Sequence, residues 1–469
     1  MIFHSLTYLV FLAAVLTLYW ALPRREQNIL VLIASYVFYG WEHSWFLLPL
    51  WASTIVDYSC ALGMEKFPHR RRWFLVGSVA ASIALLATFK YAGFFIENLN
   101  ELLAGFGADP LRVTMRLVLP AGLSFYTFQS VGYIIDVYRG RVRAVHNVLD
   151  YALYVSFFPQ LVAGPIERAA HMLPQYRSIR VFDPAQWRTG LGLMLWGFFK
   201  KVVIADNVAV VANKVFALTD PSFPVLWAGV FAFAVQIYAD FSGYTDIARG
   251  TARLMGIDLM KNFNHPYLAS SPADFWRRWH ISLSTWMRDY IYIPLGGNRC
   301  GVARASFNLL ATFTISGLWH GASWNYVLWG VYWGLLILAQ RFLGWLGVAR
   351  RIPWAAKVAI TFLATCVGWL LFRERNLHQI ALDLAQSPFA APIGHWQIGF
   401  YLVALVLFYS LPLVIHMVTT GILAPRWSFT KWLPATGRFA LETSVAVFLF
   451  LGILVARSVT RSDFIYFQF

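Results

Sequence analysis

Two histidines in this chain of 469 residues are placed where an imidazole could do chemistry. His280 falls within Phe275-Trp-Arg-Arg-Trp-His-Ile-Ser-Leu-Ser-Thr-Trp286 and His320 within Gly317-Leu-Trp-His-Gly321, each directly after a tryptophan, Trp279 and Trp319. A neutral imidazole, with an ordinary pKa of about 6.5, is a suitable base at physiological pH. It offers removal of the proton from a hydroxyl as that hydroxyl attacks an acyl carbon; a covalent acyl-imidazole is the alternative route. One histidine among tryptophans is ordinarily a satisfied core hydrogen bond. Here there are two, and an ionisable group at membrane depth costs about 2–3 kcal/mol on insertion scales, so each needs a partner, a water-filled cavity or a task.

The element that must position His280 opens like a helix start, with Ser271 as cap, Pro272 at the first helical position and Asp274 three residues after the cap. Projected as one helix at about 100° per residue, Phe275, Trp279, Leu283, Trp286 and Tyr290 share a face, and Arg278, Ser282, Thr285 and Asp289 share another. His280 falls on a seam with Trp276, Ser284 and Met287, flanked by Arg277 and Arg288. So many ionisable groups do not suit a lipid-facing span, and the pattern predicts a tilted, re-entrant or interfacial element. Trp279, Trp319 and Ser284 are the expected neighbours of a ligand; Arg277 and Arg288 serve either an anionic donor or an ion pair with Asp289.

Composition sets the surroundings. With 59% hydrophobic, 17% aromatic and 13% charged residues, the chain departs from soluble averages toward a polytopic membrane protein. Its 38 Lys+Arg against 22 Asp+Glu are scattered in short loops beside apolar runs, a positive-inside distribution with no nucleic-acid-binding patch. Apolar runs from 2–22 to 438–457 predict an all-α fold with about eleven crossings plus re-entrant or interfacial helices. Arg24-Arg25, the 66–72 cluster and the 139–143 cluster fall in alternate loops, which places the N-terminus outside and those loops in the cytoplasm. No charged spacer or repeat interrupts the chain, so one membrane domain is expected over 1–469, with a core over about 148–345 and outer helices over 1–147 and 346–469. Pro120-Ala-Gly122, Pro159 and Gly164-Pro165 predict broken helices around a hollow in that core.

Other chemistries lack their motifs. There is no Gly-x-Ser-x-Gly elbow, no phosphate loop, no third glycine after Gly190-x-Gly192 and no His-Glu-x-x-His; Cys60, Cys300 and Cys366 are far apart, odd in number and without a Cys-x-x-Cys, so neither a zinc knuckle nor a disulfide framework is suggested. No metal site is expected. Asp240-Phe-Ser-Gly-Tyr-Thr-Asp246 is a second polar island, in which Asp240 binds substrate or, by preference, Asp240 or Asp246 pairs with an arginine of the 270–299 stretch. Lys200-Lys201 is expected to mark a membrane boundary or to snorkel, and Asp57 and Lys90 to lie near span ends and do no chemistry.

Together with Phe157-Phe-Pro-Gln-Leu-Val-Ala-Gly-Pro-Ile166 and Leu295-Gly-Gly-Asn-Arg299, these motifs resemble the membrane-bound O-acyltransferases. The likeness is to the bacterial branch with the membrane subunits of alginate and cellulose O-acetylation, and more distantly to the membrane protein of teichoic-acid D-alanylation. It extends from the N-terminus to about Phe372 and lapses after Asn376. The resemblance implies a helical fold around a central funnel, with His320 matching the family's signature histidine and His280 a second one where other branches often place asparagine. It also implies a multi-pass protein of the bacterial inner membrane, surrounded by lipid. A cytoplasmic thioester, acetyl-CoA or a carrier-bound acetyl group, is then the donor substrate, with no bound cofactor. An exopolysaccharide is acetylated through a separate periplasmic acetyltransferase within a polysaccharide synthesis or export complex. On this reading His320 is the base, kept neutral by burial, and His280 orients the acceptor or stabilises the oxyanion.

Two other readings compete. Broken helices and buried charges also build transporters, against which stand the lack of an inverted repeat and the concentration of polar groups in one third of the chain. A scaffold of a secretion complex would depend on neither histidine.

Overall fold

Helices and the turns between them make up the described residues, with no strand among them. The structure is a computed structural model, and it describes residues 1–111, 118–162, 164–347, 351–423, 434–458 and 464–465. Ala163, inside the Phe157–Ile166 motif, therefore lies outside the described residues. Seven helices among those described are long and apolar enough to cross a membrane: Ser44–Lys66, Pro68–Gly105, Phe223–Leu254, Trp324–Trp345, Trp354–Arg373, Ile393–Leu423 and Thr436–Val455. Several runs counted toward eleven crossings form shorter or less apolar helices instead, among them Leu6–Ala21, Arg24–Gly40, Leu123–Tyr138 and Val302–His320. Leu363 and Phe408 stand 62% and 71% exposed on two of the long helices, a surface tolerable in lipid and costly in water. The chain is an all-α polytopic membrane protein.

Packing groups the described residues into two compact units. The first joins Met1–Arg188 with Thr251–Met260 and Gly321–Ser323. Within it the Tyr8 hydroxyl meets that of Thr251 at 2.6 Å and the Tyr19 hydroxyl donates to the Met255 carbonyl at 2.6 Å, tying the first helix to the 251–260 segment. The expected breaks are present: a helix begins at Leu123 just after Gly122, and Val148–Ser156 stops before the single turn Phe158–Leu161 that carries Pro159. Asp57 departs from expectation. It lies in the middle of Leu47–Lys66, 1% exposed, and accepts hydrogen bonds from Ser53 at 3.2 Å and Ser78 at 2.5 Å, so the carboxylate is satisfied by hydroxyls inside a span rather than by water at its end.

The second unit comprises Thr189–Gly250, Lys261–His320 and Trp324–Phe469. Its Phe223–Leu254 helix is 32 residues long and the most deeply buried of the candidate spans. A Cβ on Gly197 would come within 2.7 Å of the Gly243 carbonyl oxygen, so the backbones touch where two glycines face each other. That approach carries the π-helical turn Phe199–Ala205 against the polar face of the long helix. Lys200 and Lys201 consequently neither snorkel nor mark a boundary: they are 3% and 0% exposed. Lys201 bridges Asp206 at 2.9 Å and Asp240 at 2.8 Å, while Lys200 meets Asp246 at 2.6 Å. Buried ammonium groups without such partners would not be tolerated.

Candidate active site

The 270–299 stretch begins as its sequence predicts and then departs from it. Ser271 accepts the Asp274 N–H at 3.2 Å and Pro272 starts the helix Pro272–Arg278, while the Asp274 carboxylate reaches back to the Ser270 N–H at 3.1 Å. The helix does not continue through His280. It ends at Trp279, His280 adopts a left-handed conformation with φ +43°, and a second helix runs over Ile281–Met287. A projection through one continuous helix therefore mislocates His280, which sits at a break rather than on a seam.

The break is held by a neighbouring segment. The Ile281 N–H donates to the Asn262 carbonyl at 2.9 Å and the Asn264 N–H to the Arg278 carbonyl at 2.9 Å, so residues 262–264 run alongside 278–281 as a short paired ribbon. The Asn262 side chain anchors the start of the second helix. Its oxygen accepts the Ser282 N–H at 3.1 Å and the Ser282 hydroxyl at 3.0 Å, and stands 3.2 Å from His280 Nδ1. A backbone N–H can only donate, so the atom facing it is the amide oxygen and not the amide nitrogen. An oxygen in that place requires the proton of a neutral His280 on Nδ1, which leaves the lone pair on Nε2.

His320 closes the helix Val302–His320, which pairs tightly with Trp324–Trp345. A Cβ on Gly317 would come within 2.1 Å of the Tyr326 carbonyl oxygen, so only glycine permits the crossing one turn before the histidine. The His320 ring meets Trp319 and Trp329 edge-on at 4.9 Å each and Phe372 at 5.4 Å. Trp319 also meets the His280 ring at 6.0 Å, so one indole contacts both imidazoles. The 270–299 stretch and the Trp324–Trp345 helix meet through Trp276 and Trp329, whose rings lie 5.6 Å apart. Both imidazoles are buried, His280 wholly and His320 with 4% of its surface exposed. The Trp329 indole N–H is buried too, with no hydrogen-bond partner among the described residues.

The other expected site residues divide. Trp279 is buried among Phe275, Tyr267, Phe263 and Trp369 and acts in packing. The Ser284 hydroxyl donates to the Trp279 carbonyl at 3.1 Å, closing the helix break. Arg277 and Arg288 are 72% and 59% exposed, beside Asp274 at 3.6 Å and Asp289 at 2.8 Å. Asp240 takes Lys201 rather than an arginine of the 270–299 stretch, because the π-helical turn brings an ammonium closer than any guanidinium. Its other oxygen accepts the Ile465 N–H at 2.7 Å. The Phe464 ring meets that of Tyr244 at 4.2 Å in a tilted arrangement and touches Phe241, whose ring lies 4.8 Å from His280.

Sequence reasoning missed Asn262, Lys201 and Phe464. Asn262 sits in an unremarkable loop 18 residues before its histidine, and Phe464 lies beyond the part of the chain where motifs are legible. The adjacent lysines were the available signal, since a pair at the end of an apolar run predicts either water or buried carboxylates.

Comparison with known proteins adds an independent line. The model of the membrane-bound O-acyltransferase family matches residues 139–372, a stretch containing both histidines and Asn262. A protein named probable alginate O-acetylase AlgI, from Pseudomonas aeruginosa, is 42% identical over 85% of this chain and 76% of its own length. The peptidoglycan O-acetyltransferase of Helicobacter pylori is 36% identical over 74% of this chain and 71% of its own length. The teichoic acid D-alanyltransferase of Bacillus subtilis is 29% identical over 56% of this chain and 71% of its own length.

Proposed function

Because this chain belongs to the membrane-bound O-acyltransferase family and is an O-acyltransferase, we propose that it moves an acetyl group from a cytoplasmic thioester across the bacterial inner membrane for O-acetylation of an exopolysaccharide. The donor is acetyl-CoA or a carrier-bound acetyl group, and a periplasmic acetyltransferase within a synthesis or export complex completes delivery to a polymer such as alginate or cellulose. The N-terminus faces the periplasm.

The observation that carries this reading is the single indole, Trp319, in contact with two buried imidazoles, one of them fixed in its tautomer by Asn262. His320 acts as base. It takes the proton of the acceptor hydroxyl as the oxygen attacks the thioester carbon, the carbon–sulfur bond breaks, and the proton passes to the departing sulfur, so an ester and a thiol result. General-base help of this kind contributes about 100- to 10,000-fold. His280 orients the acceptor. With its proton engaged by Asn262, a neutral His280 presents a lone pair at Nε2, which suits accepting a hydrogen bond from a neighbouring hydroxyl and does not suit donating to an oxyanion. The Trp329 indole N–H, buried against the His320 ring, supplies a donor for the developing oxyanion.

The test is the purified protein in liposomes with labelled acetyl donor inside and acceptor outside. The parent produces labelled ester outside and His320→Ala does not, although it inserts and melts like the parent. Undiminished ester from His320→Ala removes the assignment; unmodified solute crossing in both proteins supports a transporter instead.

A further inference from the structure

His320 and Trp329 handle a proton and an oxyanion, and neither decides how long an acyl chain the site accepts. That choice falls to whatever stands beside the reacting carbon on its remaining side. The Phe372 ring meets both groups, 5.4 Å from the His320 ring and 5.3 Å from that of Trp329, edge-on in each case. Phe372 and Trp329 are each 1% exposed. Rings at these separations touch, so the space beside the imidazole is already filled to contact.

This wall is held from behind. Phe372 lies in the last turn of the helix Trp354–Arg373, where the carbonyls have no partner within the helix itself. The Glu374 N–H takes the Leu370 carbonyl at 3.0 Å, and the Asn325 side chain takes the next two, donating to the Leu371 and Phe372 carbonyls at 3.2 Å each. A carbonyl only accepts, so the amide nitrogen faces them and the orientation of Asn325 is fixed. Asn325 is itself fully buried, five residues after His320 and on the helix Trp324–Trp345. That helix grips its neighbour at two further levels. The Tyr332 hydroxyl donates to the Ala364 carbonyl at 2.7 Å, and a Cβ on Gly368 would come within 3.2 Å of the Trp333 indole nitrogen. Ties at 364, 368 and 371–372, about one per turn, leave Phe372 no backbone freedom to retreat.

Four groups surround a thioester carbon under attack: the acceptor oxygen, the departing sulfur, the developing oxyanion and the acyl chain. In the mechanism above the acceptor approaches between the imidazoles that share Trp319, and the oxyanion lies at the Trp329 N–H. The sulfur must keep its way out to the rest of the donor. The side left to the acyl chain is the one that Phe372 closes.

We propose that Phe372, clamped by Asn325, is the wall that limits the transferred group to a short acyl chain, with acetyl preferred over propionyl and butyryl. Phe372 touches the acyl group, and Asn325 is a positioning residue acting through it. The proposal rests on the acyl-transfer reading above. An added methylene must push aside a held ring or shift the carbonyl from its donor, and a pocket that rejects one methylene discriminates by about 10- to 200-fold.

The experiment uses the full chain in the liposome assay, with labelled acetyl, propionyl and butyryl groups inside, each carried on coenzyme A and separately on a phosphopantetheinyl carrier protein, against the same acceptor outside. The readout is the ratio of kcat/KM for acetyl to that for the longer groups, which does not depend on how much of a variant is folded. The parent favours acetyl over butyryl, Phe372→Ala lowers that ratio by about 10-fold or more, and Phe372→Leu lowers it by less. Asn325→Leu, which keeps a similar volume and removes the clamp, moves the ratio in the same direction with the ring still present. Analogues of the acetyl and butyryl donors with methylene in place of the thioester sulfur, bound under calorimetry, show the same shift in relative affinity, which covers a variant that no longer turns over. Equal use of all three groups by the parent overturns the wall while leaving the enzyme reading intact. A fall in every rate with both the ratio and the relative analogue affinity unchanged in Phe372→Ala and Phe372→Leu means that the ring serves packing alone, and overturns it too. A shift in the Phe372 variants without one in Asn325→Leu overturns the clamp. Transfer of no acyl group from either carrier by the parent overturns the enzyme reading itself.

Discussion

The side-chain oxygen of Asn262 stands 3.2 Å from Nδ1 of His280 while also accepting two hydrogen bonds from Ser282. This arrangement assigns the imidazole proton from heavy atoms alone, because the Ser282 N–H leaves the amide no choice of orientation. Asn262→Leu keeps a similar volume and removes the acceptor, so His280 loses its tautomer and its aim. Acetyl transfer in the liposome assay falls by about 100-fold, a contribution of the size expected from one acid–base or orienting group. A variant that transfers at the parental rate would detach Asn262 from the reaction.

Trp329→Phe retains the ring that packs on His320 and Trp276 but lacks the buried N–H. The expected loss in kcat is about 100-fold, that of one oxyanion donor, with thermal unfolding in detergent unchanged. A fall in melting temperature with full activity would mean that the indole serves packing alone.

Gly317→Ala forces a methyl into the space 2.1 Å from the Tyr326 carbonyl oxygen, between backbones that cannot yield without moving His320. The cost expected of overpacking is about 1–3 kcal/mol, together with loss of transfer. Gly192→Ala, on a helix where nothing lies within 4 Å of the added carbon, is the control and should leave both unchanged.

Lys201→Met leaves Asp206 and Asp240 facing each other without their cation, in a region 2–3% exposed. Breaking a buried ion group in this way costs about 3–5 kcal/mol. Replacing all three by apolar residues of similar volume should recover much of that stability, which melting in detergent measures.

In the first unit, His171 Nδ1 lies 2.8 Å from Glu167, whose other oxygen takes the Met260 N–H at 2.6 Å. Donation of a hydrogen bond to the Glu167 carboxylate raises the His171 pKa above its ordinary value. A raised value means that the contribution is fully present at pH below the unfolded pKa, and is lost as pH rises through the folded one. His171→Gln should therefore lower the melting temperature more at pH 5.5 than at pH 8.5. The difference is on the order of 1–2 °C, since the ring is partly exposed and solvent screens the pair.

Much of the architecture was legible because it follows from local rules. Ser271, Pro272 and Asp274 specify a helix start within four residues, and the Pro–Gly pairs specify breaks without reference to any distant partner. The two histidines stood out because a polar ring in apolar sequence needs a reason. The failures have a common cause. Nothing in Trp279-His-Ile281 breaks a helix by itself; the left-handed turn exists because the 262–264 segment pairs with 278–281, and that pairing is tertiary. Lys200 and Lys201 read as surface groups until the touching glycines, 197 and 243, bring them to carboxylates some 40 positions away.

The left-handed backbone at position 280 narrows what selection can try there. Glycine would relieve the turn and abolish the ring, while a β-branched or bulky apolar residue would fit neither the conformation nor the chemistry. Asparagine and aspartate are the other side chains that enter this conformation with any ease and still carry a hydrogen-bonding group close to the main chain. An exchange of histidine for asparagine at this point is thus a short step for a descendant protein, one that keeps the shape of the chain while altering which atom greets the incoming acceptor.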